Sequence, residues 1–331
     1  MSTTESSQFE LVNPPEDGVS KVIFHPSDPN LLLVSSWDKT LRLYNVEKNE
    51  LMKTIDTGAV ALDCCFGENN TAFYGGLDHK LTKVDLETGK TEVIGEQNGP
   101  ISTICYEAET DRVFVGSWDH TLCVWNASMK KKSHEVSVKH KIFSMDLRNK
   151  ILVVATSQRK VFVYKTDDMS EVWQERETGL KYMLRCIRLM PNGAGFACSS
   201  IEGRVAFEFF DLSPEAQSKR YAFKTHRHIV QDTEVVYPVN TLAFHPRYGT
   251  FASGGSDAVV NIWDGENRKR IKSMTKFPDE IACVNFNYNG TKLAIASSYT
   301  FDEGQRDFSK VAIYIKNVAD HEVAPRNQQS R

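Results

Sequence analysis

The chain has 331 residues, 40% of them hydrophobic and 25% charged, with a formal net charge of -3. This describes a globular protein with a sizeable core and excludes a general nucleic-acid-binding surface, which needs an excess of clustered cations. Its seven cysteines lie mostly inside apolar runs with no paired Cys-x-x-Cys spacing, so they read as buried reduced thiols and not as zinc ligands.

From the N-terminus, MSTTESSQFELV has no basic flank followed by a long apolar core, and no later run is long enough to span a bilayer. The chain is expected to be intracellular, and the sequons at Asn69, Asn126 and Asn289 then carry no weight. Residues 1–8 are expected to be disordered, and FELV at 9–12 to form a strand ahead of the main pattern.

That pattern is a repeat. Alternating strands end in large apolar residues at Phe24, Phe66, Tyr106, Leu147, Met190, Phe244 and Phe286, in steps of 40 to 43 residues with a single step of 54. A four-stranded propeller blade takes ~40–45 residues, so the chain predicts seven blades over 9–317 with an insertion near 226–238. In each unit a second strand runs into a turn of small residues: SSWD, GGLD, GSWD, TSQR, SSIE, GGSD and SSYT. Seven residues after Asp257 comes Trp263-Asp264, a strand-ending Trp-Asp. The same count from Asp38 and Asp119 reaches Asn45 and Asn126. Trp37-Asp38 and Trp118-Asp119 therefore belong to turns between second and third strands.

Asp38, Asp78, Asp119 and Asp257 are expected to hold these turns through side-chain hydrogen bonds to backbone. The two tryptophans either pack against a neighbouring blade or project from the top face as peptide contacts, a role for which Trp is enriched. Blade five is rich in cations. Antiparallel pairing puts Arg204, opening its third strand, across from Lys224 and near His226, with Arg185 at the start of the first strand on the same rim. This is either a solvated basic edge or a reader of acidic or phosphorylated peptides.

Blade seven offers strands near 281–287, 292–298 and 311–317, but the tail 318–331 is polar with no strand pattern and is expected to be disordered. The N-terminal strand is therefore expected to complete blade seven and close the ring, removing exposed edges. The fold class is all-β, a seven-bladed WD40 propeller. Nine scattered histidines accompany no nucleophile elbow, phosphate loop or carboxylate pair, so no catalysis, metal or cofactor is expected. The basic runs at 129–134 and 267–272 either aid nuclear entry or form solvated outer strands.

The strings SSWDKTLRLYN, GSWDHTLCVWN, SSIEGRVAFEFFDLSPE, KRYAFKTHR, TFASGGSDAVVNIWD and TKLAIASSY, with the opening NPPEDGVSKVIF, resemble the non-kinase propellers of the budding-uninhibited-by-benzimidazole family of the spindle-assembly checkpoint. The likeness spans about residues 9–317 and departs in the middle of KYMLRCIR and in a short 299–310 loop. It implies a mitotic adaptor that binds GLEBS segments of a checkpoint kinase and its pseudokinase-like relative, and docks on a kinetochore scaffold through phosphothreonine MELT motifs. The checkpoint complex inhibiting the anaphase-promoting ubiquitin ligase is a further implied partner. Carried over, Arg204 and Lys224 contact phosphothreonine with Trp37 beside them, while Arg185, Trp118 and Trp37 serve the GLEBS segment. The implied location is the nucleus, the kinetochore in mitosis, and also the cytoplasm. Two other readings use the same face: a messenger-RNA-export propeller holding a nucleoporin GLEBS segment, and a substrate receptor of a ubiquitin ligase.

Overall fold

The computed structural model describes residues 7–275, 277–306 and 310–325. Among these are seven four-stranded antiparallel sheets and one two-stranded sheet. The second strand of each blade is almost wholly buried, as in Leu31–Ser36 and Ile151–Thr156. Both its faces meet neighbouring blades, which is why these segments read as continuous apolar runs. Outer strands bury one face only, and Glu50–Asp56 alternates accordingly. Seven apolar clusters each straddle a pair of adjacent blades, so the core is a ring of interfaces around a central channel.

In every blade the pairing of first and second strands slips by one residue near the top, at Ser20, Leu62, Ser102, Phe143, Arg185, Asn240 and Ala282. A bulge leaves that residue out of the ladder and re-aims its side chain. Ser20 and Ser102 use this freedom to donate to Ala61 O (2.6 Å) and Ile142 O (2.7 Å) of the next blade. At the same place blade five carries Arg185.

The ring closes as the sequence predicts. Gln8–Glu10 pairs with Ala312–Asn317 in the register Phe9↔Ile315, and Leu11 N donates to Ile313 O at 2.8 Å. Ordered structure reaches slightly further than the 1–8 boundary: Gln8 is in the strand, and Ser7 O accepts from Asn317 N. Residues 1–6 lie outside the described chain.

The tail from 318 to 325 is not disordered. It turns into a short helix, Asp320–Val323, whose Val323 is 1% exposed and whose carbonyl accepts from Thr250 Oγ1 at 2.7 Å. Buried Glu322 ion-pairs with Lys272 of blade six and Lys316 of blade seven. A single apolar residue in a four-residue helix has no period to detect, and the buried carboxylate is tolerated because two ammonium groups face it. Residues 326–331 lie outside the described chain.

All seven cysteines are free. Burial pushes the thiols of Cys65, Cys105, Cys123, Cys198 and Cys283 up, and that of Cys64 up to about 12, so they remain protonated and unreactive.

Candidate peptide-binding face

The repeated Ser-Trp-Asp phrase is a turn built from side-chain caps. Ser36 Oγ accepts from Asp38 N (3.1 Å) and donates toward Gly18 O (3.0 Å), tying the turn to the loop that enters the blade. Asp38 Oδ1 accepts from Thr40 N (3.0 Å) and Thr40 Oγ1 (2.6 Å), while Oδ2 accepts from Glu16 N and Arg42 Nη2, both at 3.0 Å. Burial opposes the charged carboxylate, but the bonds from Thr40 and Glu16 and the Arg42 cation together hold Asp38 below its usual range. Ser117, Asp119 and Thr121 repeat the arrangement. The residue after each Asp, Lys39 and His120, adopts positive φ of 64° and 76°. The Ser, Asp and Thr side chains of the turn are thus engaged, while the Trp ring is 45% exposed at Trp37 and partly exposed at Trp118.

Asp257 departs from this scheme. Its carboxylate accepts from His226 Nδ1 at 2.7 Å and from His228 Nε2 at 3.0 Å, not from its own turn. His226 Nε2 meets Ser253 Oγ at 2.8 Å, and Ser253 accepts from Trp263 Nε1 at 2.9 Å. The strand-ending Trp263 is therefore the far end of a buried chain from Trp through Ser and His to Asp. His226 is not a member of the basic cluster expected in blade five, because it is buried and committed here. Trp125 stands at the matching place in blade three, but Val115 replaces the serine and its Nε1 is buried without a partner. Replacing His226 by Ala removes one partner each from Asp257 and Ser253, leaving them only His228 and Trp263, and should cost about 1–3 kcal/mol in chemical denaturation. Trp263→Phe, which removes a single donor, should cost about 1 kcal/mol.

The top face carries an open groove of ≈ 1100 Å³. Its walls include Trp37 and Arg185, with Tyr299, Phe301 and Arg306 from the loop before the last strand and Asn240 from the blade-six bulge. Trp37 and Arg185, far apart in sequence, are brought together. Trp118 is not among the groove-lining residues. Arg204 and Lys224 are opposed directly across blade five, as pairing predicts, and also lie outside the groove lining. Glu202, largely buried, stands 3.5 Å from Arg204, and half-exposed Glu234 stands 3.9 Å from Lys224 while pairing more closely with Arg227 at 3.0 Å. The 226–238 insertion supplies Glu234: it is a hairpin of Arg227–Val230 and Thr233–Val236, with Ile229 exposed at its tip. Arg188 lies at the other end of the blade-five strand and lines the lower mouth of the channel with Lys21.

Sequence reasoning missed the 299–306 loop. Phe301 is 66% exposed at a positive φ of 65°, an unusual pairing of bulk, strain and exposure. The signal available was two aromatics in SSYTF at the mouth of an otherwise small-residue turn.

The seven blades, the Asp-His-Ser-Trp chain and the Asp-capped turns define a WD40 β-propeller. The WD domain, G-beta repeat family matches at residues 7–45, 90–126 and 225–264. The solved structure of RRP9 WD40 repeats shares this fold, with a TM-score of 0.81 at 13% identity over 95% of this chain and 100% of that one. Full-length relatives narrow the class. The mitotic checkpoint protein BUB3.1 of Arabidopsis thaliana is 44% identical over 98% of this chain and 96% of its own. Mitotic checkpoint protein bub3 of Dictyostelium discoideum is 40% identical over 96% and 97%. The mRNA export factor GLE2 of Chaetomium thermophilum is 30% identical over 90% and 86%. The chain belongs to the Bub3 family of mitotic checkpoint WD40 propellers.

Proposed function

We propose that this chain is a non-catalytic adaptor of the spindle-assembly checkpoint that holds two kinds of peptide on its top face. The observation that carries the reading is the groove uniting Trp37 with Arg185: an aromatic wall beside a half-buried cation suits an extended segment bearing apolar and acidic residues. In this role the groove receives GLEBS segments of the checkpoint kinase and its pseudokinase-like relative, with Trp118 contacting the segment beyond the groove. Arg204 and Lys224 read phosphothreonine in MELT motifs of the kinetochore scaffold, with Trp37 against the motif's apolar residues. The assembled complex restrains the anaphase-promoting ubiquitin ligase, and the protein works in the nucleus, at kinetochores in mitosis, and in the cytoplasm. The export reading finds less support, since the identity to the GLE2 relative is 30% against 44% for BUB3.1. Recovery of checkpoint kinases from mitotic cells supports the adaptor; recovery of a nucleoporin with export factors instead supports the rival.

The phosphate reading has its own test. A phosphothreonine carries about -1.5 to -2 charge and three acceptor oxygens, and it competes with Glu202 for Arg204 and with the exposed, 3.9 Å contact of Glu234 for Lys224. Charge-assisted bonds to it should favour phosphorylated over plain peptide by about ten- to a hundredfold. Arg204→Ala removes a planar fork of donors and most of that preference; Lys224→Ala removes a point charge and part of it. Anisotropy titration of paired MELT-type peptides measures both, and the preference should shrink as salt rises. Equal binding of the two peptides by the unmodified protein sinks the assignment.

A further inference from the structure

The cation proposed to receive a partner's carboxylate already has one. Asp302, at the tip of the 299–306 loop of blade seven, reaches across blade six to Arg185 of blade five, Oδ1 to Nη2 at 2.5 Å. Its other oxygen accepts from Ser256 Oγ of the blade-six turn, also at 2.5 Å. The loop thus spans three blades over the groove that Trp37 and Arg185 line.

The base of this loop is tied down. Tyr299 OH donates to Gly304 O at 2.6 Å, Thr300 N donates to Glu280 at 2.8 Å, and Arg306 bonds Asp279 at 2.9 Å while lying 3.9 Å over the Tyr299 ring. The tip is the strained part, with Phe301 held at positive φ and turned to solvent beside Asp302. Arg185 is also incompletely used. Its Nε is buried and has no hydrogen-bond partner, because Asp302 divides its two oxygens between Arg185 and Ser256. A carboxylate arriving side-on can take Nε and Nη2 together, the bidentate geometry that Asp302 does not supply.

From this we infer that Asp302 is a built-in competitor for the peptide groove, a latch that occupies Arg185 until an acidic segment offering a two-point carboxylate replaces it. The inference rests on the groove reading above and adds a selection rule to it. A segment with a neutral residue at that place leaves the latch shut, whereas a glutamate that satisfies both Nε and Nη2 opens it. Release also removes Asp302's repulsion from buried Glu280, whose carboxyl is held above its usual range by burial first and by Asp302 among the lesser causes. Apparent affinity is reduced by the fraction of molecules in which the latch is open, so an open share of roughly 10–30% weakens binding three- to tenfold.

The test is stopped-flow and calorimetric binding of a synthetic GLEBS peptide with its glutamates intact, and of the same peptide with those glutamates changed to glutamine. Asp302→Asn should tighten the acidic peptide about three- to tenfold, chiefly through a faster association rate. Ser256→Ala, which keeps both charges but frees the loop's second anchor, should give a smaller gain of the same sign. Neither gain should survive in an Arg185→Ala background, and neither should extend to the glutamine peptide. Unchanged or weaker binding by both Asp302→Asn and Ser256→Ala, while Arg185→Glu still abolishes the interaction, overturns the latch and leaves the groove reading intact. If Arg185→Glu has no effect either, the groove reading fails and the latch with it.

Discussion

Deleting residues 1–13 should destabilise the entire ring by about 5 kcal/mol and lower its melting temperature by ~10 °C, in one cooperative transition. The segment supplies the outer strand of blade seven and buries Leu11, 1% exposed, in the cluster that joins blades seven and one. Full burial of such a side chain is worth roughly 1.5–3 kcal/mol, and half-buried Phe9 adds to it. The deletion also removes Asn13 O, the acceptor for the wholly buried Tyr44 at 2.6 Å and for Arg42 at 2.7 Å. An unpaired buried hydroxyl costs about 1–3 kcal/mol more. Each blade is stabilised mainly by its two neighbours, so opening one seam weakens every other interface. Differential scanning calorimetry decides: a truncated chain that melts like the full one means the N-terminal strand is not a clasp.

Arg185→Glu should weaken binding of an acidic GLEBS segment by more than tenfold with the fold preserved. On the proposed reading the substitution puts a carboxylate where the partner's carboxylate would sit, and loss of one desolvated charge pair typically costs ~2–5 kcal/mol. It also sets a new negative charge against Asp302, the present partner of Arg185. The bulge keeps Arg185 out of the strand ladder, so no backbone pairing depends on its side chain. Trp37→Ala should weaken the same peptide while costing less stability than truncation of a core aromatic, because 45% of the Trp37 surface is already in water. Isothermal titration calorimetry on the two variants separates these effects. Undiminished affinity in Arg185→Glu would move the site elsewhere on the ring.

The resemblance of TKLAIASSY and SSIEGRVAFEFF to checkpoint propellers agrees with what full-length comparison gives, and the seven-fold spacing alone fixes the blade count. Spacing was legible because each blade repeats the same physical demand: a buried second strand, a turn of small residues, and an outer strand with one wet face. Cross-strand neighbours within a blade were legible too. Arg204 opposite Lys224 follows from antiparallel counting, since the tight turns leave no slack in register.

Features that repeat or are local can be read along the chain: the number of blades, the closing strand, the turn position of the two Trp-Asp pairs, and the pairing across blade five. Relations between blades emerge only when the ring closes. His226 reads as a loop cation, but its ring crosses the seam into blade six and is used up between Ser253 and Asp257. Arg185 reads as one more blade-five cation, but a loop 117 residues away covers it with Asp302. The tail at 318–325 reads as polar, but Lys272 and Lys316 from two blades meet Glu322 and bring Val323 into the core. In each case the partner comes from another blade, and no periodicity within a blade records which side chains a closed ring sets face to face.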